Sequence, residues 1–343
     1  MRRLGVACIS VLLTSAAYGQ GVLPSIEQQA SGAQTASNVI DIGRLESLTD
    51  TYMSQMLNFA STGNLSQIGS NAVNTITYGG DLDSVVQHFD GKQSVGNLLA
   101  LGAVDIYGEI NQSGKNVAGS VISNRLVYAG QLFEGQQLVL NSAELAILYG
   151  SVGQSGLNLA NYAEAALAIG TAEQQILQEA VQQIDNRLQV AAMSAVSSAI
   201  SQRGENFGNI MISDTVDSVT RNFAGEQRVH NVVQLGEGGA GPITQHGANV
   251  ANFIMSSRIG SLTQNSEGTQ SVTNEVFDAQ GNAMKGGNIS QTSEDSVNVI
   301  ILTKPAEGGD SAVIEVAQNA DFPQSSSSNG GGSQTGNSLT VNR

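Results

Sequence analysis

The sequence predicts a mainly β protein, a β-solenoid in which strand–turn–strand coils stack along one axis. Two observations predict this fold. The pattern Gln-x-Gly-x-Asn occurs five times at nearly constant spacing. The composition combines 40% hydrophobic residues and 40 glycines with only 13% charged residues. Since charged residues usually make up about a quarter of a globular chain, this mixture is typical of stacked strands with ladders of polar amides.

The spacing of the repeat is regular. The first glutamines of the five copies, at positions 67, 112, 154, 202 and 245, are 45, 42, 48 and 43 residues apart. Looser copies, such as Gln93 with Asn97 and Gln136 with Asn141, lie about midway between them. The sequence therefore predicts a unit of roughly 20–25 residues, long enough for a coil of two short strands and two turns, repeated over residues 37–302. The predicted structural ladder consists of Gln67, Gly69, Asn71, Gln112, Gly114, Asn116, Gln154, Gly156, Asn158, Gln202, Gly204, Asn206, Gln245, Gly247 and Asn249.

The chemistry of the motif agrees with stacking. In an extended strand its Gln, Gly and Asn share one face. Stacked coils place each amide about 4.8 Å from its equivalent, close enough for side-chain hydrogen bonds. The glycine would allow close backbone approach or a sharp bend. The Asn or Gly three residues after the motif would fit a left-handed corner. The alternative is that these amides are exposed loop residues without a fixed register.

The repeats resemble curlin repeats, the coils of curli-type functional amyloid subunits. The chain is also similar in character to the curli-like holdfast-anchoring proteins of stalked bacteria. Three features differ from the curlin pattern: Asn comes one residue earlier after Gly, the closing Gln is irregular, and the alternation of coils is closer to 45 residues than to 22. The resemblance implies a structural protein that forms or anchors an extracellular adhesive or amyloid-like fibre in surface attachment and biofilm formation. It implies as partners other copies or fibre subunits, an outer-membrane secretion or anchor protein, and extracellular polysaccharide.

Two other functions remain open at this point. One is a monomeric β-helical adhesin, which would use the long side of the solenoid as a binding surface while a cap prevents polymerisation. The other is a polysaccharide-acting enzyme built on a β-helix, which would need a cleft with converging acidic side chains.

Residues 1–19 have the pattern of a cleaved export signal. Met1-Arg2-Arg3 is followed by an apolar stretch without charge from Leu4 to Ala17, and the small residues Ala17 and Gly19 predict cleavage before Gln20. Cleavage would remove Cys8, the only cysteine, so the mature chain would have no disulfide. We therefore expect a secreted protein or one on the extracellular face of the outer membrane.

Several segments differ from the repeat. Residues 20–36 are predicted to be flexible, residues 303–322 to form a terminal coil or cap, and the Ser/Gly/Asn-rich residues 323–343 to be disordered. Apolar residues recur at helical spacing around 171–200, where no Pro or Gly interrupts the chain. This predicts an inserted helix, although the 48-residue spacing across 160–201 favours further coils.

The charged and ionisable residues show no pattern that predicts a catalytic or ligand-binding site. The formal net charge is −15 without a basic stripe, which excludes electrostatic capture of nucleic acid. His88, His230 and His246 form no ligand pair, and Asp81 and Asp83 lack the loop pattern of a calcium site.

A glycine-rich stretch also has no predicted role. Residues 236–241 match the dinucleotide pattern literally, but Pro242 follows where a helix should begin. The sequence therefore predicts no catalytic residue, cofactor or metal, and hence no enzyme.

Overall fold

The computed structural model describes residues 9–12, 23–41, 64–106, 108–193, 198–237, 241–284, 288–303, 312–320, 324–328 and 333–341. Regular structure in these ranges consists of β-strands and contains no helix. Accordingly, no helix with the length and apolarity to cross a membrane occurs in them. The strands are β1 (Ile9–Leu12), β2 (Ser25–Asp41), β3 (Leu65–Ala72), β4 (Thr75–Thr77), β5 (Asp81–Ile106), β6 (Glu109–Phe133), β7 (Gln136–Leu148), β8 (Ser151–Ile176), β9 (Val181–Met193), β10 (Ile200–Phe223), β11 (Glu226–Glu237), β12 (Ile243–Ser256), β13 (Arg258–Ser266), β14 (Thr269–Phe277), β15 (Ile289–Leu302), β16 (Ala312–Ala320), β17 (Gln324–Ser328) and β18 (Ser333–Val341).

Parallel pairing between strands that are distant in sequence builds a solenoid-like stack. Ile110 pairs with Val152, Val152 with Ile200, Ile200 with Ile243, and Ile243 with Ile289. The chain thus returns to the same place after 42, 48, 43 and 46 residues. The expected mainly β, solenoid-like fold is confirmed.

Each coil has two layers that face each other across a core. In the coil that begins at Ser151, residues 151–165 form the first layer, and residues 168–176 and 181–193 form the second. The layers are joined at the exposed residues 166 and 167, where the pairing with β6 shifts register. Asn161 of the first layer reaches the carbonyl oxygen of Gln175 in the second at 3.0 Å. Equivalent layers repeat in the other coils.

The size of the repeating unit was predicted wrongly. The looser copies midway between the five motifs do not form coils of their own, because they lie in the opposite layer of the same coil. Gln182, for example, stacks on Gln137 and Gln227, which are also second-layer residues. Two half-units close one coil because each must bury its inner face against the other.

Alternation of side chains along the strands produces the core. Inward positions form apolar columns that run from coil to coil, and outward positions are mostly partly exposed. One column contains Phe89 and Phe133, whose rings stack with centroids 5.6 Å apart. Another contains Val95, Val139 and Ile184. The core is therefore continuous along the stack.

The predicted helix around 171–200 is wrong. The segment forms the end of β8 and all of β9, with residues 194–197 outside the described ranges. Ile184 pairs with Val139 in one neighbouring coil and Val229 in the other, so it continues an apolar column. Helix propensity differs by less than about 1 kcal/mol among ordinary residues, and burial in the stack outweighs it.

The stack extends beyond the predicted repeat domain at 37–302. Most of residues 20–36, predicted to be flexible, lie in β2, and the tail predicted to be disordered contains β17 and β18. Within 303–322, β16 pairs with β13. These segments gain backbone hydrogen bonds from a preceding or following coil, which their composition alone does not indicate. Of residues 1–19 only β1 is described, antiparallel to β2, and cleavage of the signal stays a prediction.

Candidate functional site

The glutamines and asparagines of the five motifs lie inside the protein. All ten side chains are at most 8% exposed, so they are not the exposed loop residues of the alternative interpretation. The glutamine and the asparagine of each motif share the inner face of the first layer because they stand four residues apart in a strand. Burying an amide is unfavourable unless its polar atoms are hydrogen-bonded. The surrounding coils must therefore supply partners.

The motif glutamines form a hydrogen-bonded ladder along the stack. Nε2 of Gln154 donates to Oε1 of Gln112 at 2.7 Å, and its N–H groups also reach the carbonyl oxygens of Asn141 at 3.2 Å and Arg187 at 2.9 Å in the second layer. Each glutamine thus ties its coil to the previous one and the first layer to the second. The ladder runs through Gln67, Gln112, Gln154, Gln202, Gln245 and Gln291, with distances of 2.6–2.7 Å.

The motif asparagines form a second ladder of opposite direction. Nδ2 of Asn116 donates to Oδ1 of Asn158 in the following coil at 2.9 Å, and to the carbonyl oxygen of Leu138 across the core at 3.0 Å. Asparagine amides therefore donate toward the C-terminal end of the stack, and glutamine amides toward its N-terminal end. The members are Asn71, Asn116, Asn158, Asn206 and Asn249, each 2.9 Å from the next, and Asp295 completes the ladder.

The second layer carries its own pair of ladders, which the sequence predicted only in part. A glutamine and an asparagine four residues apart occur there in six coils, as in Gln182 and Asn186. The intervening residue is not glycine, which hid the pattern, and Gln137 rather than Gln136 is the ladder member. The glutamines are Gln34, Gln93, Gln137, Gln182, Gln227 and Gln270, and the asparagines Asn38, Asn97, Asn141, Asn186, Asn231 and Asn274.

The position three residues after the motif also forms a ladder. Asn161, Asn209, Asn252 and Asn298 are linked by hydrogen bonds of 2.8–2.9 Å. They lie in strands rather than in the predicted left-handed corners. Asn74, the corresponding residue of the first copy, is the exception: its φ of 47° is the only positive φ among the described non-glycine residues, so the left-handed corner is confirmed at this one position.

The motif glycines make room for side chains of the opposite layer. A Cβ on Gly247 would collide with Cγ1 of Val272 and lie 3.1 Å from Cγ1 of Val229. None of the motif glycines has a positive φ, so the predicted sharp bend is wrong. Each of the five faces a branched side chain across the core in this way, namely Val95, Val139, Ile184, Val229 and Val272.

Asp295 occupies the C-terminal end of the motif asparagine ladder. Its Oδ1 accepts a hydrogen bond from Nδ2 of Asn249 at 2.9 Å, and the side chain is fully buried. Because asparagine amides donate toward this end, the last member needs only to accept. A carboxylate meets that requirement, and an ionised one cannot donate to a further coil.

Arg221 interrupts a third glutamine ladder. Gln28, Gln87, Gln131 and Gln174 are joined at 2.7–2.8 Å, and Arg221 lies between Gln174 and Gln264 in register. The arginine is fully buried, and burial lowers its pKa to about 9. Nη1 is 3.5 Å from the carbonyl oxygen of Asn209. Nε and Nη2 of Arg221 and Oε1 of Gln174 have no hydrogen-bond partner among the residues that the structure describes.

His230 lies on the outer surface between carboxylates of the two neighbouring coils. Its Nδ1 is 3.6 Å from Oδ1 of Asp185, and its Nε2 is 3.4 Å from Oε2 of Glu275. Hydrogen bonding to Asp185 raises the pKa of His230, opposed by burial and assisted by Glu275. For Asp185, burial favours a higher pKa, but hydrogen bonds from His230 and Gln183 and the charge of Arg187 outweigh it and lower the pKa.

The other two histidines also face acidic side chains. Nε2 of His88 is 3.7 Å from Oε1 of Glu134, and Nε2 of His246 is 3.6 Å from Oε1 of Glu205. The three histidines remain in separate places. In the described ranges, no three His, Cys, Asp or Glu side chains are grouped so that they could hold a metal ion.

The remaining candidate residues have ordinary polar contacts. Asp81 accepts a hydrogen bond from Asn124 at 2.7 Å, and Asp83 accepts one from Ser25 at 3.2 Å. Part of the glycine-rich stretch, residues 238–240, lies outside the described ranges.

One groove on the outer surface of the second layer contains two glutamates. Glu27 and Glu173 both line it. Three coil steps separate them, since Glu27 pairs with Val86, Val86 with Gly130, and Gly130 with Glu173, which corresponds to about 14 Å. Glycosidases hold their two carboxyl groups about 5–10 Å apart. This groove therefore does not supply such a pair.

The arrangement defines a class of structure, a two-layered stack of parallel coils held by buried amide ladders. Comparison of the chain with protein-family models, with curated proteins and with solved structures gives no match in any of the three.

The packing of the motif glycine gives a first prediction. Replacing Gly247 with valine should lower the free energy of unfolding by roughly 1–3 kcal/mol, because the added side chain overfills the core against Val229 and Val272. Unfolding curves in denaturant, recorded for the unmodified chain and the variant, measure the difference. Gly96→Val is the matched control, since a Cβ there has no atom within 4 Å, and an equal loss in both variants would contradict the packing argument.

The interrupted ladder gives a second prediction. Arg221→Gln should raise the free energy of unfolding by about 1–4 kcal/mol, because it removes a buried, poorly paired charge and restores a residue that both donates and accepts. Thermal melting is the measurement. Arg258→Gln removes the same charge from an exposed position and should change stability by less than about 0.5 kcal/mol. A lower melting temperature for Arg221→Gln would show that the arginine stabilises the stack.

Proposed function

We propose that the chain is an exported structural protein that forms or anchors an extracellular adhesive or amyloid-like fibre at the bacterial surface. The observation that carries the proposal is the run of buried amide ladders through a stack of parallel coils. Such ladders and parallel, in-register strands are the features that stabilise cross-β assemblies. The likeness of the motif to curlin repeats and to holdfast-anchoring proteins supports the same function.

The ends of the stack favour addition of further strands. Among the described residues, β16, β17 and β18 each pair on one side only, with β13, β14 and β15. At the other end, and again within the described part of the chain, residues 33–41 of β2 pair only with β5. Strand edges with free backbone N–H and C=O groups are templates for another chain. The partners proposed are other copies of this chain or related fibre subunits.

The register of the end coils also suits addition of a second copy. Gln318 pairs in register with Gln264, and Gln324 with Gln270, so glutamine continues in two positions to the last coil. Gln28 and Gln34 stand at the start of the corresponding ladders. A copy added head to tail would place glutamine beside glutamine at both positions.

Export and anchoring belong to the same proposal. The predicted signal at residues 1–19 would bring the mature chain to the outer-membrane surface, where a secretion or anchor protein and extracellular polysaccharide are the expected partners. The net charge of −15 would oppose premature association, because like-charged chains repel.

A monomeric adhesin is the second candidate, and β1 is the observation that favours it. This strand covers residues 27–30 of β2 in antiparallel pairing, which blocks part of the first coil's edge. Because β1 lies within the predicted signal, cleavage before Gln20 would remove the cover. A chain that keeps β1 would therefore favour the adhesin.

Assembly of the mature chain tests the proposal. The chain beginning at Gln20 should form fibres with a meridional reflection near 4.7–4.8 Å. Replacing Gln67, Asn71, Gln154, Asn158, Gln245 and Asn249 with alanine should abolish fibre formation and surface attachment, since buried backbone carbonyls and amides lose their partners. X-ray fibre diffraction, dye binding and cell attachment are the measurements.

The control removes side chains that take no part in the ladders. Replacing His88, His230 and His246 together should leave fibres and attachment unchanged. A compact monomer at high concentration without dye binding would support the adhesin instead. Loss of attachment in the histidine variant, with the amide variant still attached, would contradict the role of the ladders.

A further inference from the structure

The outer surface of the first layer is apolar in three consecutive coils. Met211, Ile254 and Ile300 lie in the core and are at most 1% exposed. Because side chains alternate along a strand, the residues directly before and after each of these three lie on the outer surface. In register, Ile210, Phe253 and Val299 form one column, and Ile212, Met255 and Ile301 the next. We name these six residues the outer apolar face.

The two columns become apolar at Ile210 and Ile212. In the coil before Ile210 the equivalent residues are Tyr162 and Glu164, and outward positions of the second layer in the same coils include Asn222 and Asn265. Five of the six residues of the outer apolar face are partly exposed, and Ile210 is 7% exposed. The six residues therefore form one contiguous apolar patch in register rather than singly scattered surface residues.

We propose that the outer apolar face packs against the same face of a second row of copies, so that two fibres pair side by side. This inference rests on the proposed function, because it requires copies already stacked into a row. Two β layers with alternating side chains pack face to face about 10 Å apart. The face is continuous with the strands of the stack, so it would keep a constant orientation along a row.

Charge favours a second copy as the partner. The chain has a net charge of −15, and like-charged copies repel each other over most of their surface. None of the six residues of the outer apolar face is ionisable. Two copies therefore approach with least repulsion when these faces meet.

The area of the outer apolar face determines whether two free monomers can pair or only two rows of stacked copies. Outward residues are about 7 Å apart along a strand and about 4.8 Å between coils, so six of them cover roughly 200 Å². Stable pairs bury about 800 Å² per partner. Two free monomers would therefore stay apart, whereas copies in a row present the face repeatedly and bind through multivalency.

Mass per length of unstained fibres in scanning transmission electron microscopy tests the inference. In fibres of the unmodified mature chain, the axial length that one copy occupies should contain the mass of two copies, one from each row. The double variant Phe253→Thr, Ile301→Thr keeps strand-forming residues but removes apolar contact. Its mass per length should fall about twofold, with the reflection near 4.7–4.8 Å retained.

The control and the unmodified fibre separate the two proposals. Val86→Thr with Leu98→Thr changes apolar residues of the second layer that are 38% and 37% exposed, and it should leave mass per length unchanged. Absence of fibres from the unmodified chain would overturn the proposed function. Unmodified fibres with the mass of one row, or an unaltered mass in the Phe253 and Ile301 variant, would overturn the pairing while the fibre itself stands.

Discussion

A primary amide buried between two β layers needs partners for its two N–H groups and for its oxygen, and the coils are arranged to supply all of them. One N–H meets the amide oxygen of the equivalent residue in a neighbouring coil, and the other meets a carbonyl oxygen of the opposite layer. Gln154 and Asn158 show both contacts. A shift of one residue would turn these amides outward and leave buried carbonyls unpaired, so the ladders fix the register of the stack.

Because the ladders fix the register, the coils can differ in length only outside the ladder positions. The 48-residue coil has six more residues than the 42-residue coil. The pairing registers place these residues in the connections after Ala165, Ile176 and Met193 rather than between ladder members. Direction matters as well. Asp295 fits the end of a ladder because it only has to accept, whereas Arg221 fits poorly within one because it can only donate.

Much of this arrangement could be predicted from the sequence, because Gln, Gly and Asn recur at a spacing that only stacking explains. The position of the half-units in opposite layers could not be predicted, because Gln182 and Asn186 lack the intervening glycine and their hydrogen-bond partners are distant in sequence. The end strands and β9 were also missed. Their composition indicates disorder or helix, and pairing with a neighbouring coil, as Ile184 does with Val139, is a tertiary effect. The room that Gly247 leaves for Val272 depends on the opposite layer in the same way.

Hydrogen exchange of individual side-chain amides, followed by NMR, tests the central role of the ladders most directly. The side-chain N–H groups of Gln154 and Asn158 should exchange as slowly as the backbone amides of the same strand, because both need the stack to open. The outward Gln175, in the same coil, should exchange quickly. Equal, rapid exchange of Gln154, Asn158 and Gln175 would show that the amides are not held in ladders, and the account of the stack would be wrong.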